Sequence, residues 1–293
     1  MSFSRIMLGT VQFGLPYGIA NTSGQPSYDT VIAIMREAFD AGITSFDTSA
    51  SYGTSEEVLG RALEQLGVSK KAEIVTKIPP VPEHLSETQI IAHIDIWLGQ
   101  SLRRLKVEQL AAALFHCEDD AVYLPLLQKW VEKGDIRQAG VSLDSTAYPP
   151  EAVSAAAVQV PCNVFDHRFD SFIASASAAG VNIFARSVYL QGLLLMPEEA
   201  IPPHLVELIA WRYRLGQLAE KAQIPLAELA VRYLYSNQGI TSILTGVDNV
   251  NQLRENIQYS HRGPLPADLY REVRDAVPLL QERLIRPKLW KKN

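Results

Sequence analysis

The sequence has little cysteine, with only Cys117 and Cys162 among 293 residues. Two cysteines cannot form a disulfide framework, and their spacing matches no zinc motif. We therefore expect two free thiols in a reducing compartment. The first ten residues, MSFSRIMLGT, lack the cationic and apolar regions of a signal peptide. Together these features predict a cytoplasmic protein.

Long hydrophobic runs and an excess of basic residues are also absent. No apolar run approaches the ~20 residues that cross a bilayer, so we expect no membrane association. The formal net charge is −5. Nucleic-acid binders usually carry a basic patch, so we expect no nucleic-acid partner. The one basic cluster, in residues 283–293, is interpreted as a solvated end of the chain.

Short apolar runs alternate with longer amphipathic segments along the chain. Eight runs have the length of a strand, and several lack period-two alternation, which is typical of a buried parallel sheet. They comprise residues 5–10, 42–48, 72–77, 109–116, 136–142, 156–161, 181–187 and 240–246. Helical patterns lie between them, at 27–42, 55–67, 86–106 and, as two helices, 204–237.

This alternation predicts an α/β fold, a (β/α)8 TIM barrel in a single domain. The barrel core would span about residues 4–258, with an extra helix and tail over about 264–293. A doubly wound sheet is the alternative fold. That fold usually has a GxGxxG turn after its first strand, and GTVQFG at residues 9–14 does not fit this pattern.

Four polar side chains lie at or just beyond three consecutive strand ends, where barrels hold their catalytic groups. They are Asp47, Tyr52, Lys77 and His116. An ammonium about 4 Å from a phenol favours the phenolate by roughly 4 kcal/mol at an effective dielectric of about 20. We therefore expect Lys77 to lower the pKa of Tyr52 toward the range of general acid catalysis. The set lacks a nucleophile and suits the protonation of a carbonyl that receives a hydride.

These motifs resemble the aldo-keto reductase superfamily. FDTSASYGTSEEVLGRAL, IVTK and LFH carry the resemblance, which extends from the first strand to LRENI near residue 257. The resemblance implies an oxidoreductase that uses a nicotinamide cofactor to reduce an aldehyde or ketone, such as a sugar or small aldehyde, without a metal. It assigns Tyr52 as the general acid and Asp47, Lys77 and His116 as the rest of a catalytic tetrad.

The resemblance also implies a cofactor site. In the family, groups at the positions of Ser142 and Gln159 hold the nicotinamide carboxamide, and Arg186 replaces an aromatic residue that stacks on its ring. Leu143 replaces a usual asparagine, and Asn163 is interpreted as structural. The full set of expected cofactor-binding residues is Gly9, Thr10, Asp47, Ser142, Gln159, Arg186, Ser187, Leu190, Gly192, Gly246, Val247, Asn249, Gln252 and Asn256.

The choice of cofactor is less well determined by the resemblance. Gly246 and Gln252 stand where relatives carry cations that bind the 2′-phosphate of NADPH. Family membership favours NADPH, with NADH possible and with weaker discrimination than in relatives that keep both charges. Arg254 or the backbone amides of 247–249 would then have to meet the phosphate.

The expected partner is a small carbonyl substrate. By resemblance, its pocket is built by residues 12–25, 117–122, 193–204 and 284–293. Tyr17, Tyr52 and His116 are the expected substrate-binding residues, with Tyr17 as a rival phenol for the acid role.

Two other functions are compatible with the same residues. Some proteins of this fold are regulatory subunits that sense a nicotinamide cofactor without catalysis. A metal-dependent barrel hydrolase would instead use Asp47 and His116, with further ligands from residues 117–120.

Overall fold

Eight parallel strands close into a barrel in the computed structural model, which describes residues 2–290. Each strand pairs with the next, and the last pairs with the first. The (β/α)8 prediction is therefore confirmed, and every predicted strand is present. The strands are β1 (Ile6–Gly9), β2 (Ser45–Asp47), β3 (Glu73–Ile78), β4 (Ala112–Phe115), β5 (Ala139–Ser142), β6 (Ala157–Pro161), β7 (Asn182–Arg186) and β8 (Ser242–Gly246).

Helices connect the strands on the outside of the barrel. After β5 the connection contains only a 3₁₀ segment, Pro150–Ser154, which follows a second proline at 149. Proline lacks the N–H donor that a continuing helix needs. The helices are α1 (Val11–Gly14), α2 (Tyr28–Asp40), α3 (Ser55–Leu66), α4 (Glu87–Leu105), α5 (Gln128–Lys133), α6 (Asp170–Ala178), α7 (Glu207–Lys221), α8 (Leu226–Ser236), α9 (Val250–His261), α10 (Ala267–Ala276) and α11 (Glu282–Ile285).

Two predicted helix starts illustrate different uses of serine. Ser86 forms a capping box with Gln89 at the start of α4, as its sequence pattern predicts. Ser55 does not cap α3, although its sequence pattern resembles a helix start. Its hydroxyl instead donates to the carbonyl oxygen of Thr10, so it ties α3 to the end of β1.

The core has two layers. A larger cluster of apolar side chains packs between the sheet and the helices. A smaller one fills the barrel interior, where Phe3 packs edge-on against Phe184 at 4.8 Å between ring centroids. Its buried members are Met7, Val75, Ala112, Leu114, Ala157, Phe184 and Leu244. Because apolar side chains occupy the interior, the polar groups of the barrel collect at the strand ends.

Among residues 2–290, none of the helices is both long and apolar enough to cross a membrane.

Gly140 of β5 provides a test of barrel packing. A Cβ at this position would lie 1.9 Å from the carbonyl oxygen of Ala157 and 2.6 Å from Leu114 Cδ2. We expect Gly140→Ala to lower the free energy of unfolding by about 1–3 kcal/mol or more, because backbone cannot move aside cheaply. Urea denaturation measures the change.

Gly216→Ala is the matched control. Gly216 lies within α7, and a Cβ added there would meet no other heavy atom of residues 2–290 within 4 Å. Alanine there should raise the free energy of unfolding by up to about 1 kcal/mol. Equal effects of the two substitutions would contradict this account of the barrel wall.

Candidate active site

A buried ion pair lies at the carboxyl ends of β2 and β3. Lys77 Nζ lies 2.7 and 2.8 Å from the two carboxylate oxygens of Asp47 and donates a third bond, of 2.8 Å, to the carbonyl oxygen of Thr48. Gln159 Nε2 of β6 donates to the same carboxylate at 2.7 Å. All three N–H donors of the ammonium are therefore bound to Asp47 of β2 or to Thr48, which follows it. The predicted pairing of Lys77 with Asp47 is confirmed.

Tyr52 lies next to this pair. Its ring centroid is 4.9 Å from Lys77 Nζ and 5.6 Å from the ring centroid of His116. Burial and the Asp47 carboxylate raise the pKa of Tyr52 above its usual value, and Arg186 offsets this only in part. The expectation that Lys77 lowers this pKa is wrong, because the ammonium is already paired and the phenol is buried. At neutral pH the phenol keeps its proton.

His116 lies beside Tyr52 and is in its neutral form. Burial, followed by the charges of Lys77 and Arg186, lowers the pKa of His116 to about 3. Ser49 Oγ accepts a hydrogen bond from the Ser51 amide and lies 3.2 Å from His116 Nδ1. Ser49 Oγ keeps its proton and a second lone pair, so it can pair with Nδ1 in either neutral tautomer, and the tautomer in which Ser49 donates leaves the ring proton on Nε2. His116 can therefore donate one hydrogen bond.

Asp47, Tyr52 and His116 form part of the wall of a cleft of about 1060 Å³ at the mouth of the barrel. All three expected substrate-binding residues, Tyr17, Tyr52 and His116, line it. Each of the four expected pocket segments contributes, although 291–293 lie outside the described residues. The expected cofactor-binding residues that line it are Gly9, Thr10, Asp47, Ser142, Gln159, Arg186, Ser187, Gly192, Gly246, Gln252 and Asn256.

Three expected cofactor-binding residues have other roles. The side chains of Leu190 and Val247 are buried in the apolar core, not in the cleft lining. Asn249 is the N-cap of α9, where its side chain accepts from the amide of Gln252 at 3.1 Å. The side chains of these three residues are therefore engaged elsewhere, and the cofactor contacts expected of them, which for 247–249 are through backbone amides, remain predictions.

Arg186 is held in one orientation near Tyr52 and His116. Its guanidinium donates to the Asp144 carboxylate at 2.9 Å and to the carbonyl oxygen of Leu143 at 3.2 Å. Burial alone would raise the pKa of Asp144, but Arg186 and Arg286 lower it to about 2. Leu143, which replaces the usual asparagine, thus contributes through its backbone.

The C-terminal tail is more than a solvated end. Arg286 is buried and donates to Asp144 at 2.9 Å, and Lys288 lines the cleft 3.5 Å from Glu118. The interpretation of 283–293 as a solvated end is therefore wrong for Arg286, whereas the Lys288 side chain is exposed. Carboxylates on the β4 and β5 loops attract the tail, and a sequence pattern alone does not reveal that pairing. Lys291 and Lys292 lie outside the described residues.

Two polar side chains of the cleft lining, Gln12 and Thr245, are absent from the expected binding residues, although Gln12 begins the expected pocket segment 12–25. Gln12 Oε1 and Thr245 Oγ1 are buried and have no hydrogen-bond partner among the described residues. A buried polar atom without a partner is costly, so these atoms indicate a polar ligand. Thr245 lies near the carboxyl end of β8, and this position at a strand end could have identified it as a site residue. Gln12 lies in the short helix α1, and the sequence alone does not indicate that its side chain faces the cleft.

A strained loop after β7 forms one side of the cleft. Ser187, Leu190 and Gln191 have φ values of 68°, 47° and 56°. Residues other than glycine rarely adopt this region of backbone conformation. Asn163 stabilises it by donating to the carbonyl oxygen of Ser187 at 3.0 Å, consistent with the structural role expected for that residue. Such strain is typical of segments that surround a ligand.

Among residues 2–290, the site offers neither a set of metal ligands nor a thiol with a lowered pKa. Within residues 2–290, no group of three or more His, Cys, Asp or Glu side chains is arranged to hold a metal ion. Both oxygens of Asp47 already bind Lys77, so the hydrolase alternative lacks a ligand set in the described part of the chain. Burial raises the pKa of the Cys117 thiol in the cleft, which disfavours a thiolate. What remains is a pair of proton donors, Tyr52 and His116.

Comparisons with known proteins agree with this fold. A model of the aldo/keto reductase family matches residues 5–278. L-galactose dehydrogenase of Arabidopsis thaliana is 30% identical over 285 residues, covering 86% of this chain and 84% of that protein. An aldo-keto reductase of Bacillus halodurans in its holo form has a TM-score of 0.77 at 21% identity, covering 95% of this chain and 93% of that one. One of Klebsiella pneumoniae, in complex with NADP and acetate, has a TM-score of 0.73 at 20% identity and the same coverage.

Removing the Lys77 ammonium should destabilise the fold, because the Asp47 carboxylate remains buried. We expect Lys77→Met to lower the free energy of unfolding by about 3–5 kcal/mol, because Asp47 then remains buried without its counter-ion. The double variant Lys77→Met with Asp47→Asn should recover part of this loss. Urea denaturation of both variants checks the prediction, and a double variant no more stable than the single one would contradict it.

The depressed pKa of His116 predicts a pH-dependent stability. Below the unfolded-state pKa of about 6.5, the unfolded chain binds a proton that the folded one does not, so stability falls as the pH falls. Between about pH 7.5 and pH 5, His116 should cost about 2 kcal/mol in this way, and His116→Gln should remove that part of the slope. His84→Gln, at an almost fully exposed histidine, is the control. Parallel wild-type and His116→Gln curves would contradict the prediction.

Proposed function

This chain belongs to the aldo/keto reductase family, and from that premise we propose that it reduces an aldehyde or ketone to an alcohol, with a nicotinamide cofactor as the hydride source. The observation that carries the proposal is the convergence of Tyr52 and neutral His116 beside the buried pair of Lys77 and Asp47. Two donors on one side of a cleft can polarise a carbonyl oxygen, which becomes more basic as hydride adds to its carbon.

The cleft fits a nicotinamide dinucleotide. Its buried, unsatisfied atoms on Gln12 and Thr245 are suited to a ligand with many polar groups. Ser142 and Gln159, which line the cleft beside Asp47, would hold the nicotinamide end, and Arg186 would lie against its ring. When bound, the reduced cofactor supplies the hydride.

Tyr52 donates the proton in this proposal. Its raised pKa keeps the phenol protonated, and an alkoxide that develops on the substrate is a stronger base than phenolate. His116 Nε2–H donates a second hydrogen bond that orients the carbonyl oxygen. Lys77 acts through Asp47 and Thr48, because it fixes the segment that carries Tyr52 and has no donor left for the substrate.

A hydroxylated substrate suits the polar part of the cleft. Glu118, Arg186 and Lys288 line it near the tetrad and offer both donors and acceptors. A sugar-like aldehyde or a small hydroxyaldehyde could use both kinds of group. The 30% identity to L-galactose dehydrogenase supports a sugar as the first substrate class to examine.

The sequence predicts NADPH as the preferred cofactor, and the Klebsiella pneumoniae structure contains NADP. At 20% identity that likeness bears on the fold alone. The preference between NADPH and NADH therefore depends on the side chains at the end of the cleft away from Tyr52.

Tyr52→Phe tests the proposed function. Purified enzyme is screened against aldoses, hydroxyaldehydes and simple ketones, with NADH and with NADPH, by the ultraviolet absorbance of the reduced cofactor. The variant should keep cofactor binding and lose about 10²–10⁴-fold in turnover, because it lacks only the acidic proton.

Tyr17→Phe is the matched control for this experiment. Tyr17 is another phenol in the cleft, held by Gln191 Nε2 at 3.2 Å. Its variant should retain most of the turnover. Full activity of Tyr52→Phe would exclude Tyr52 as the acid. Cofactor binding without reduction of any carbonyl would instead support the cofactor-sensing alternative.

A further inference from the structure

The cleft has two ends of different chemistry. The reaction end contains Tyr52 and His116, and a nicotinamide ring must reach it to deliver a hydride. The opposite end is formed by the loop after β8 and by α9. We call it the adenosine end, and its lining residues are Asp248, Gln252, Glu255 and Asn256.

The adenosine end contains no cation among the lining residues that the structure describes. Arg254 of α9 points away from the cleft and pairs with Glu37 of α2 at 2.8 Å. Gly246 has no side chain, and the amide of Gln12 occupies the space that a Cβ there would enter, at 2.6 Å. Among residues 2–290, the cations that line the cleft are Arg186 and Lys288.

Those two cations belong to the reaction end. Arg186 is bound to Asp144 at 2.9 Å, and Lys288 lies 3.5 Å from Glu118 on the loop after β4. The backbone amide of Asp248, a further group that could meet a phosphate, already donates to Gln252 Oε1 at 2.8 Å. None of these groups is free at the adenosine end to bind a 2′-phosphate.

Carboxylates take the place of cations at this end. Asp248 Oδ1 accepts a hydrogen bond from Asn21 Nδ2 at 3.2 Å, which holds the carboxylate beside the cleft. Glu255 lines the cleft from the next turn of α9. Neither carboxylate forms an ion pair with a residue in the described part of the chain. Asp248 also precedes the N-terminus of α9, so a negative charge already occupies the position that favours a phosphate.

We infer that this cleft prefers NADH over NADPH and that Asp248 and Glu255 set the preference, an inference that rests on the proposed function. It replaces the preference for NADPH expected from the sequence. A carboxylate accepts a hydrogen bond from the ribose 2′-hydroxyl of NADH, as acidic residues do in other dinucleotide sites. The same carboxylate repels the 2′-phosphate of NADPH, which carries close to two negative charges.

Equilibrium binding of NAD⁺ and NADP⁺ tests the inference without requiring turnover. Calorimetry on the wild type should give a dissociation constant at least about tenfold lower for NAD⁺, the effect of one charged hydrogen bond. Asp248→Asn and Glu255→Gln should each reduce the ratio of the two constants about threefold or more. Their double variant should reduce it further.

Asp275→Asn is the control variant. It removes the same unit of charge from an exposed position of α10 that does not line the cleft, so the ratio should stay within about twofold of the wild type. Salt provides a second readout. Between about 0.1 M and 1 M salt the screening length falls from about 10 Å to about 3 Å, so NADP⁺ should gain affinity relative to NAD⁺.

The outcomes separate the two proposals. Equal or tighter binding of NADP⁺ overturns the inference alone, as does a ratio that both carboxylate variants leave unchanged. A fall in relative NADP⁺ affinity with salt also overturns it, because that result requires a cation at the 2′-phosphate. If neither dinucleotide binds, the proposed function fails and the inference fails with it.

Discussion

The arrangement of the site depends on one buried ion pair, Lys77 with Asp47. Burying two charges costs several kcal/mol per ion, and only close geometry with additional hydrogen bonds offsets that cost. The barrel supplies this geometry because β2 and β3 pair in parallel, with Asp47 opposite Val75 and Lys77 two residues further on. The carbonyl oxygen of Thr48 and the amide of Gln159 complete the shell. The pair thereby fixes the start of the loop that carries Tyr52.

The charges around this pair determine the protonation states beside it. Asp47 helps to keep the Tyr52 phenol protonated, while Lys77 and Arg186 help to keep His116 neutral. Arg186 is in turn held by Asp144, to which the tail residue Arg286 also donates. The reaction end of the cleft therefore combines two proton donors with a fixed cation. The adenosine end carries Asp248 and Glu255, with no cation among the lining residues that the structure describes.

The barrel, and the clustering of Asp47, Tyr52, Lys77 and His116 at one end of it, could be predicted because each depends on local signals. Strand runs and helix periodicity are properties of short segments, and Asp47, Lys77 and His116 each lie at or next to a strand end. The rest depends on distances between segments far apart in sequence. Ser49 acts on His116 across 67 positions, and Asn21 binds Asp248 across 227. The predicted direction of the Tyr52 pKa shift is wrong because burial, and the full use of the Lys77 donors, are visible only in three dimensions.

Hydride transfer is the central claim, and isotope transfer measures it most directly. The reduced cofactor is prepared with deuterium at C4 of the nicotinamide, once on each face of the ring, and the alcohol product is analysed by mass spectrometry. A single site that holds the ring in one orientation predicts that deuterium from one face alone appears on the former carbonyl carbon. If the alcohol contains no deuterium with either labelled preparation, that result would contradict direct hydride transfer in this cleft.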